Sequence, residues 1–186
     1  MTQVLARGGN TALQDTQGRP VQSLLLGMNW ANPGVDVIVC AILATDERKV
    51  RSDSDFLYWD NPIGPNEEAF LLTTPVGAPS PVADRAQVVV SIGDIPAEVT
   101  HIFISLATLD EGMTMARAGA LDARVISLSD GGVIAYYSNP AGYDRESCVV
   151  VWEVYRYKGA WKVRAIDQGW LGGLADLGRE YGVDIE

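Results

Sequence analysis

The densest group of acidic side chains is Arg51-Ser52-Asp53-Ser54-Asp55-Phe56, followed a few residues later by Trp59-Asp60-Asn61. Carboxylates this close to one another call for a cation or for water between them. A hard cation such as Ca²⁺ takes roughly six to eight oxygens, and Asp53, Asp55, Asp60, the Asn61 amide oxygen and loop carbonyls can supply several of them. The EF-hand pattern is missing its glycine and its distant glutamate. Solvated turns between strands suit the same composition. Asp53 and Asp55 also have the spacing of a general acid and base, since strand neighbours two apart share a face. Nothing else in the sequence marks a sugar cleft.

Other catalytic parts are scarce. His101 is the single histidine, and the two cysteines, Cys40 in VIVCAIL and Cys148 in SCVVVW, sit inside apolar runs where a thiol serves as a small buried hydrophobe. With no Cys-x-x-Cys, zinc sites and Ser-His-Asp or Cys-His nucleophiles lack their components. Gly8-Gly9, Gly131-Gly132 and Gly172-Gly173 belong neither to a Walker loop nor to a strand-linked G-x-G-x-x-G. Tyr136, Tyr137, Tyr155, Tyr157, Trp152 and Trp161 have the makings of an aromatic platform, although residues of this kind mostly pack in cores and across strands. A non-enzyme is expected.

The elements that must position these groups are mostly strands. Apolar, β-branched runs recur at Val21 to Trp30, Val35 to Ala44, Phe56 to Trp59, Gln87 to Ile92, His101 to Leu109, Arg124 to Leu128, Val133 to Tyr137, Ser147 to Tyr157 and Trp161 to Gln168. So many strands with little helix predict a mostly β fold, a two-sheet antiparallel β-sandwich. Ser129-Asp130-Gly131-Gly132 and Lys158-Gly159-Ala160 read as hairpin turns. In the last hairpin, Val149, Val151, Glu153, Tyr155 and Tyr157 alternate with Val150, Trp152, Val154 and Arg156, which places Trp152 and Val154 in the core. On the partner strand Lys162, Arg164, Ile166 and Gln168 form a partly cationic face expected to meet water. Leu171, Leu174, Ala175, Gly178 and Tyr181 recur at helical spacing with Gly182 as a stop, so a short C-terminal helix should cap the sandwich. Asn61 to Arg85, rich in Pro and Gly, reads as a long loop.

At 186 residues, 47% of them hydrophobic and 20% charged, the chain suits one folded domain spanning 1–186. Fourteen Lys and Arg against 24 Asp and Glu leave a net charge of −10, which repels phosphate backbones and anionic lipid, so no nucleic acid partner is expected. MTQVLARGGNTALQ lacks the apolar core of a signal peptide, and no stretch reaches the roughly 18 to 20 apolar residues of a transmembrane segment. A cytoplasmic location is expected.

RGGNTAL, LGMNW, KVRSDSDFLYWDN, the IPAEV turn at Ile95 to Val99 and YRYKGAWKVRAIDQGWLGGLADLGREYGVDI, in that order, resemble the TerD family of bacterial tellurium-resistance and stress-response proteins. The likeness runs from about Ala6 to Ile185. Its most specific part is a tyrosine hairpin ending in Trp-Lys-x-Arg-Ala, then Gln-Gly-aromatic-x-Gly-Gly-Leu. The resemblance implies a β-sandwich with a short helical end and a cytoplasmic bacterial protein linked to tellurite, phage and chemical stress. It also implies calcium binding by acidic loops and no catalytic activity.

Within that resemblance the first acidic segment becomes Gly34-Val35-Asp36-Val37-Ile38-Val39-Cys40, and only Asp36 of its three acids survives. The middle segment is kept as Asp53, Asp55, Asp60 and Asn61. The third becomes Ala83-Asp84-Arg85-Ala86, with Asp84 beside a cation. The implied metal ligands are Asp36, Asp53, Asp55, Asp60, Asn61 and Asp84, and the loss of carboxylates implies calcium binding that is weakened or lost. The function expected is a binding or scaffold role among protein partners, related TerD-like domains included, with homo-oligomers compatible with exposed edge strands. A small-ligand or carbohydrate-binding sandwich is the alternative, and a hydrolase using Asp53 and Asp55 comes last.

Overall fold

The structure, a computed structural model, describes residues 1–72 and 84–184. In chain order its strands are β1 (Gln3–Val4), β2 (Asn10–Ala12), β3 (Ser23–Trp30), β4 (Val37–Ala44), β5 (Phe56–Leu57), β6 (Ala69–Leu72), β7 (Ala86–Ser91), β8 (His101–Thr108), β9 (Leu121–Ser127), β10 (Val133–Asn139), β11 (Cys148–Tyr157) and β12 (Ala160–Trp170), followed by helix α1 (Gly173–Glu180). One sheet has the order β1-β10-β9-β3-β7-β6 and the other β2-β12-β11-β8-β4-β5. The pairs are antiparallel except β1 beside β10, which run parallel at an edge. The expected sandwich is therefore the observed architecture, and each run anticipated as a strand is one. The short strands β1, β2 and β6 were not anticipated. Of the expected loop from Asn61 to Arg85, Ala69–Leu72 is an edge strand on β7, and residues 73–83 lie outside the described residues.

Between the sheets, alternate residues meet in one core: Leu24, Leu26 and Met28 of β3, Val88 and Val90 of β7, Ile102, Ile104 and Leu106 of β8, and Trp152 and Val154 of β11. The regular alternation expected for β11 breaks at a bulge, where both β12 and β8 shift register between Val150 and Trp152. A bulge puts two successive residues on one side. Val151 and Trp152 thus both enter the main core, while Val150 faces outward.

That outward face is where α1 lies. Leu177, Tyr181 and Val183 pack on Cys40, Ile42, Phe103, Cys148 and Val150, so the helix covers the flank of the second sheet instead of closing the end of the sandwich. Ile166, expected to meet water, packs against the same cluster. Gly182 (φ +79°) ends the helix as anticipated. Val183 N–H reaches Gly178 C=O (2.8 Å) and Gly182 N–H reaches Arg179 C=O (3.2 Å), the paired bonds of a Schellman motif. Both cysteines are buried and free, and burial pushes the Cys148 thiol up to about 12 and that of Cys40 higher still, in keeping with packing. Lys158 (φ +50°) and Gly159 (φ +76°) form the two-residue turn expected between β11 and β12.

Beyond α1 the same face carries a buried carboxylate. Glu153 is 1% exposed and accepts from Arg48 Nη2 (2.8 Å), Arg164 Nη1 (3.3 Å) and His101 Nδ1 (2.7 Å). Burial opposes its ionisation, but the hydrogen bonds from His101 and Arg48 outweigh burial and hold its pKa below the ordinary 4.5. A depressed folded-state pKa gives stability that is present above the unfolded value and lost as pH falls through the folded one. Glu153→Gln should lower stability at neutral pH and flatten the acid limb of a stability-against-pH curve below about pH 4.5. Urea melts at stepped pH measure this, and an unchanged acid slope in the variant would show that Glu153 is not what makes the fold acid-sensitive.

Candidate functional site

A single 3₁₀ turn, Asp53–Asp55, feeds β5, after which the chain reverses through Tyr58-Trp59-Asp60-Asn61. Tyr58 N–H to Asn61 C=O (3.1 Å) and Asn61 N–H to Tyr58 C=O (3.0 Å) close the reversal and hold Trp59 at its tip, 57% exposed. Trp59 meets Tyr58 edge-on (centroids 5.0 Å apart), and Tyr58 stacks on Phe56 at 5.6 Å. The Asn61 amide donates to Ser54 C=O (3.2 Å) and Phe56 C=O (2.9 Å), so its nitrogen is spent on the backbone and its oxygen remains an acceptor. Facing this aromatic wall are Leu174 and Ala175 of α1, then Val183 and Asp184. Asp184 N–H donates to Asp53 Oδ1 (3.1 Å) and ties the two sides together. The cleft between them has a volume of ≈ 500 Å³, within the usual range for small-molecule sites.

The acidic residues anticipated as metal ligands are not assembled around one point. Asp53 and Asn61 line the cleft. Asp60 is exposed at the reversal and Asp36 is exposed between β3 and β4. Asp55, 1% exposed, is held by Arg51 through Nε (2.9 Å), Nη2 (2.7 Å) and its backbone N–H (2.8 Å). The same guanidinium stands 3.6 Å from Glu68, itself fully buried, and the hydrogen bond to Asp55 raises the pKa of Arg51 further. Asp84 lies on the outer face of the other sheet. Arg124 grips it through Nε (3.0 Å) and Nη2 (2.7 Å), and Gln87 Nε2 donates to it at 2.9 Å. Among the described residues no three His, Cys, Asp or Glu side chains gather so as to hold a metal ion.

Calcium therefore fits poorly. A hard cation needs carboxylate oxygens with free lone pairs, and at Asp55 and Asp84 those lone pairs already face fixed guanidinium groups. The i,i+4 spacing of Arg51 and Asp55 was a readable signal for the first pair; Arg124 and Asp84 are too far apart in sequence for any such signal. Arg85, read as the cation that weakens the third segment, instead donates Nε–H to Trp30 C=O (2.8 Å).

Asp53 and Asp55 are also no longer strand neighbours sharing a face. In the 3₁₀ turn Asp53 opens to the cleft while Asp55 is buried against Arg51, so the two do not form an acid and base pair. The six aromatic residues considered as a platform are dispersed: Trp152, Tyr137 and Tyr155 are buried, and Tyr136 is on the other sheet from Tyr157. Of the cleft's aromatic wall, Phe56, Tyr58 and Trp59 follow one another in sequence. The opposite wall comes from the C-terminal segment and was not anticipated.

The order of these elements, with the acidic reversal, the glycine-bounded hairpin and the C-terminal helix, agrees with the match of the whole chain to known proteins. The model of the TerD domain matches residues 1–181. The chain belongs to the TerD family. Tellurium resistance protein TerD of Serratia marcescens is 25% identical over 192 residues, covering 99% of each chain. General stress protein 16U of Bacillus subtilis is 22% identical over the full length of both. A solved structure of a homologue of telluride resistance protein (TerD) from Streptomyces coelicolor superposes with a TM-score of 0.62 at 10% identity, over 84% of this chain and 95% of that one. At that identity the likeness speaks for the TerD fold alone. Among the described residues no helix is long and apolar enough to cross a membrane.

Proposed function

We propose that this TerD-family chain is a non-catalytic binding or scaffold protein of the stress-response class, cytoplasmic, with calcium dependence weakened or lost and the Asp53–Asn61 cleft as its binding surface. The observation that carries this is the capture of Asp55 by Arg51 and of Asp84 by Arg124. Each guanidinium supplies in place the positive charge that a bound cation would bring, so the loops are held without a metal. Protein partners, related TerD-like domains among them, and a second copy of the chain would meet it through side-chain surfaces such as the cleft, because the short edge strands β1, β6, β2 and β5 leave little backbone for strand addition.

Thermal melting of metal-stripped protein in EGTA and in millimolar calcium tests the calcium part. No shift is expected, because a ligand stabilises only in proportion to its binding to the native state. A rise in Tm that saturates with calcium would return the chain to the calcium-dependent class.

A second reading, a small-ligand or carbohydrate-binding sandwich, is favoured by the exposure of Trp59 in the cleft wall. A sugar and nucleotide panel that quenches tryptophan emission without metal supports it; a silent panel leaves the scaffold reading alone.

A further inference from the structure

On the reading that the cleft is a binding surface, we propose that its ligand is an organic cation, a primary or quaternary amine carried on a small apolar body. The walls set the body. Phe56, Tyr58 and Trp59 present rings on one side and Leu174 and Val183 present aliphatic carbon on the other, around a space of ≈ 500 Å³.

The polar groups set the charge. Asp53 and Asp184 line the cleft, and neither is paired with a cationic side chain among the described residues, in contrast to Asp55 in the same 3₁₀ turn as Asp53. The Asn61 nitrogen is committed to backbone carbonyls, and the Ser54 hydroxyl is engaged with that of Ser52 at 2.7 Å. What remains for a ligand is the two carboxylates and the Asn61 oxygen as acceptors, the Tyr58 hydroxyl and Trp59 indole N–H as neutral groups, and no Lys or Arg among the described residues of the lining. A carboxylate or phosphate would meet two negative charges and no positive one. A neutral sugar would strip water from two carboxylates without neutralising either.

Calcium would find two carboxylates and an amide oxygen beside walls of carbon, short of the oxygens it needs. An ammonium group gains from all of it. It is drawn by the carboxylates, by the electron-rich ring faces and by the field of a chain whose net charge is −10.

The test uses the intact protein and four probes: phenethylammonium, its neutral analogue 2-phenylethanol, glucose and calcium chloride, followed by calorimetry and tryptophan emission. Phenethylammonium should bind with quenching and 2-phenylethanol at least about tenfold more weakly. In Asp53→Asn/Asp184→Asn the preference for the amine should vanish with Tm unchanged, because asparagine at 53 can still accept the Asp184 N–H. In Trp59→Ala both compounds should weaken. Equal or tighter binding of 2-phenylethanol, or of glucose, at the cleft would overturn the cationic class while leaving the cleft as a binding surface. Calcium heat abolished by the same double variant would also overturn it, since the carboxylates would then serve a hard cation. If neither phenethylammonium, 2-phenylethanol nor glucose perturbs emission or gives heat, both the class and the binding role of the cleft fall.

Discussion

Arg124→Met should remove about 3–5 kcal/mol of folding stability, the scale for breaking a buried ion pair by deleting one partner. Arg124 and Asp84 are 4% and 6% exposed, and with the guanidinium gone the Asp84 carboxylate keeps only Gln87 of the donors described above. The carboxylate cannot move aside easily, for it lies directly over Gly27, where an added Cβ would come within 2.3 Å of Asp84 Oδ2. The register places Gln87 and Arg124 on either side of Gly27, so one acid links β7 to β9 across β3. Denaturant midpoints measure the loss, and an unchanged m-value would show that the native and unfolded states are otherwise alike. Adding Asp84→Asn to Arg124→Met should restore much of the stability, since the uncompensated charge is then gone. A loss under about 1 kcal/mol would mean that water reaches Asp84 and does the work assigned to Arg124.

Arg51→Ala should be of similar size, about 3–5 kcal/mol, and should also change the kind of protein this is. Arg51 is the positive charge that Asp55 and Glu68 share, and the two acids are 1% and 0% exposed. Without it two buried carboxylates face one space. Unlike the solvated acids of the cleft, these two are buried and would repel each other unrelieved, so even a divalent ion short of its full oxygen set should help, and millimolar calcium should raise the Tm of the variant while leaving the wild type unmoved. Glu68 also accepts the Asn66 N–H at 2.7 Å, so the turn before β6 should loosen together with the 3₁₀ turn. A variant that is destabilised yet indifferent to calcium would show that Arg51 closes the loop by packing alone. The calcium response is therefore the decisive half of this experiment.

The long strands were legible because their apolar, β-branched runs end in glycine-bearing turns, as in Val133–Asn139 and Cys148–Tyr157. β1 and β2, two and three residues long, give no period to read, and β6 is four apolar residues inside a Pro- and Gly-rich text. The bulge at Val150 was hidden because Cys148-Val149-Val150-Val151-Trp152 is apolar throughout, so no polar residue marks which face each member takes. That bulge and the apolar outer face of β4 and β8 decide where α1 docks, so the position of the helix was hidden as well.

For the site, residue type was visible and partnership was not. Asp53, Asp55, Asp60 and Asn61 stand out as a cluster, yet their fates diverge: Asp55 is buried under Arg51, Asp60 sits on an exposed turn, and Asp53 and Asn61 line a cleft. The opposite wall of that cleft, Leu174, Ala175, Val183 and Asp184, arrives from more than a hundred residues downstream.

On the proposed reading, fixed guanidinium groups take the place of a cation in this TerD fold. A calorimetric titration of metal-stripped protein with calcium, run beside Asp53→Asn/Asp55→Asn, tests it most directly. No saturable heat in either protein is the predicted result. Heat that saturates in the wild type and disappears in the double variant would contradict the claim and place a metal at the acidic reversal.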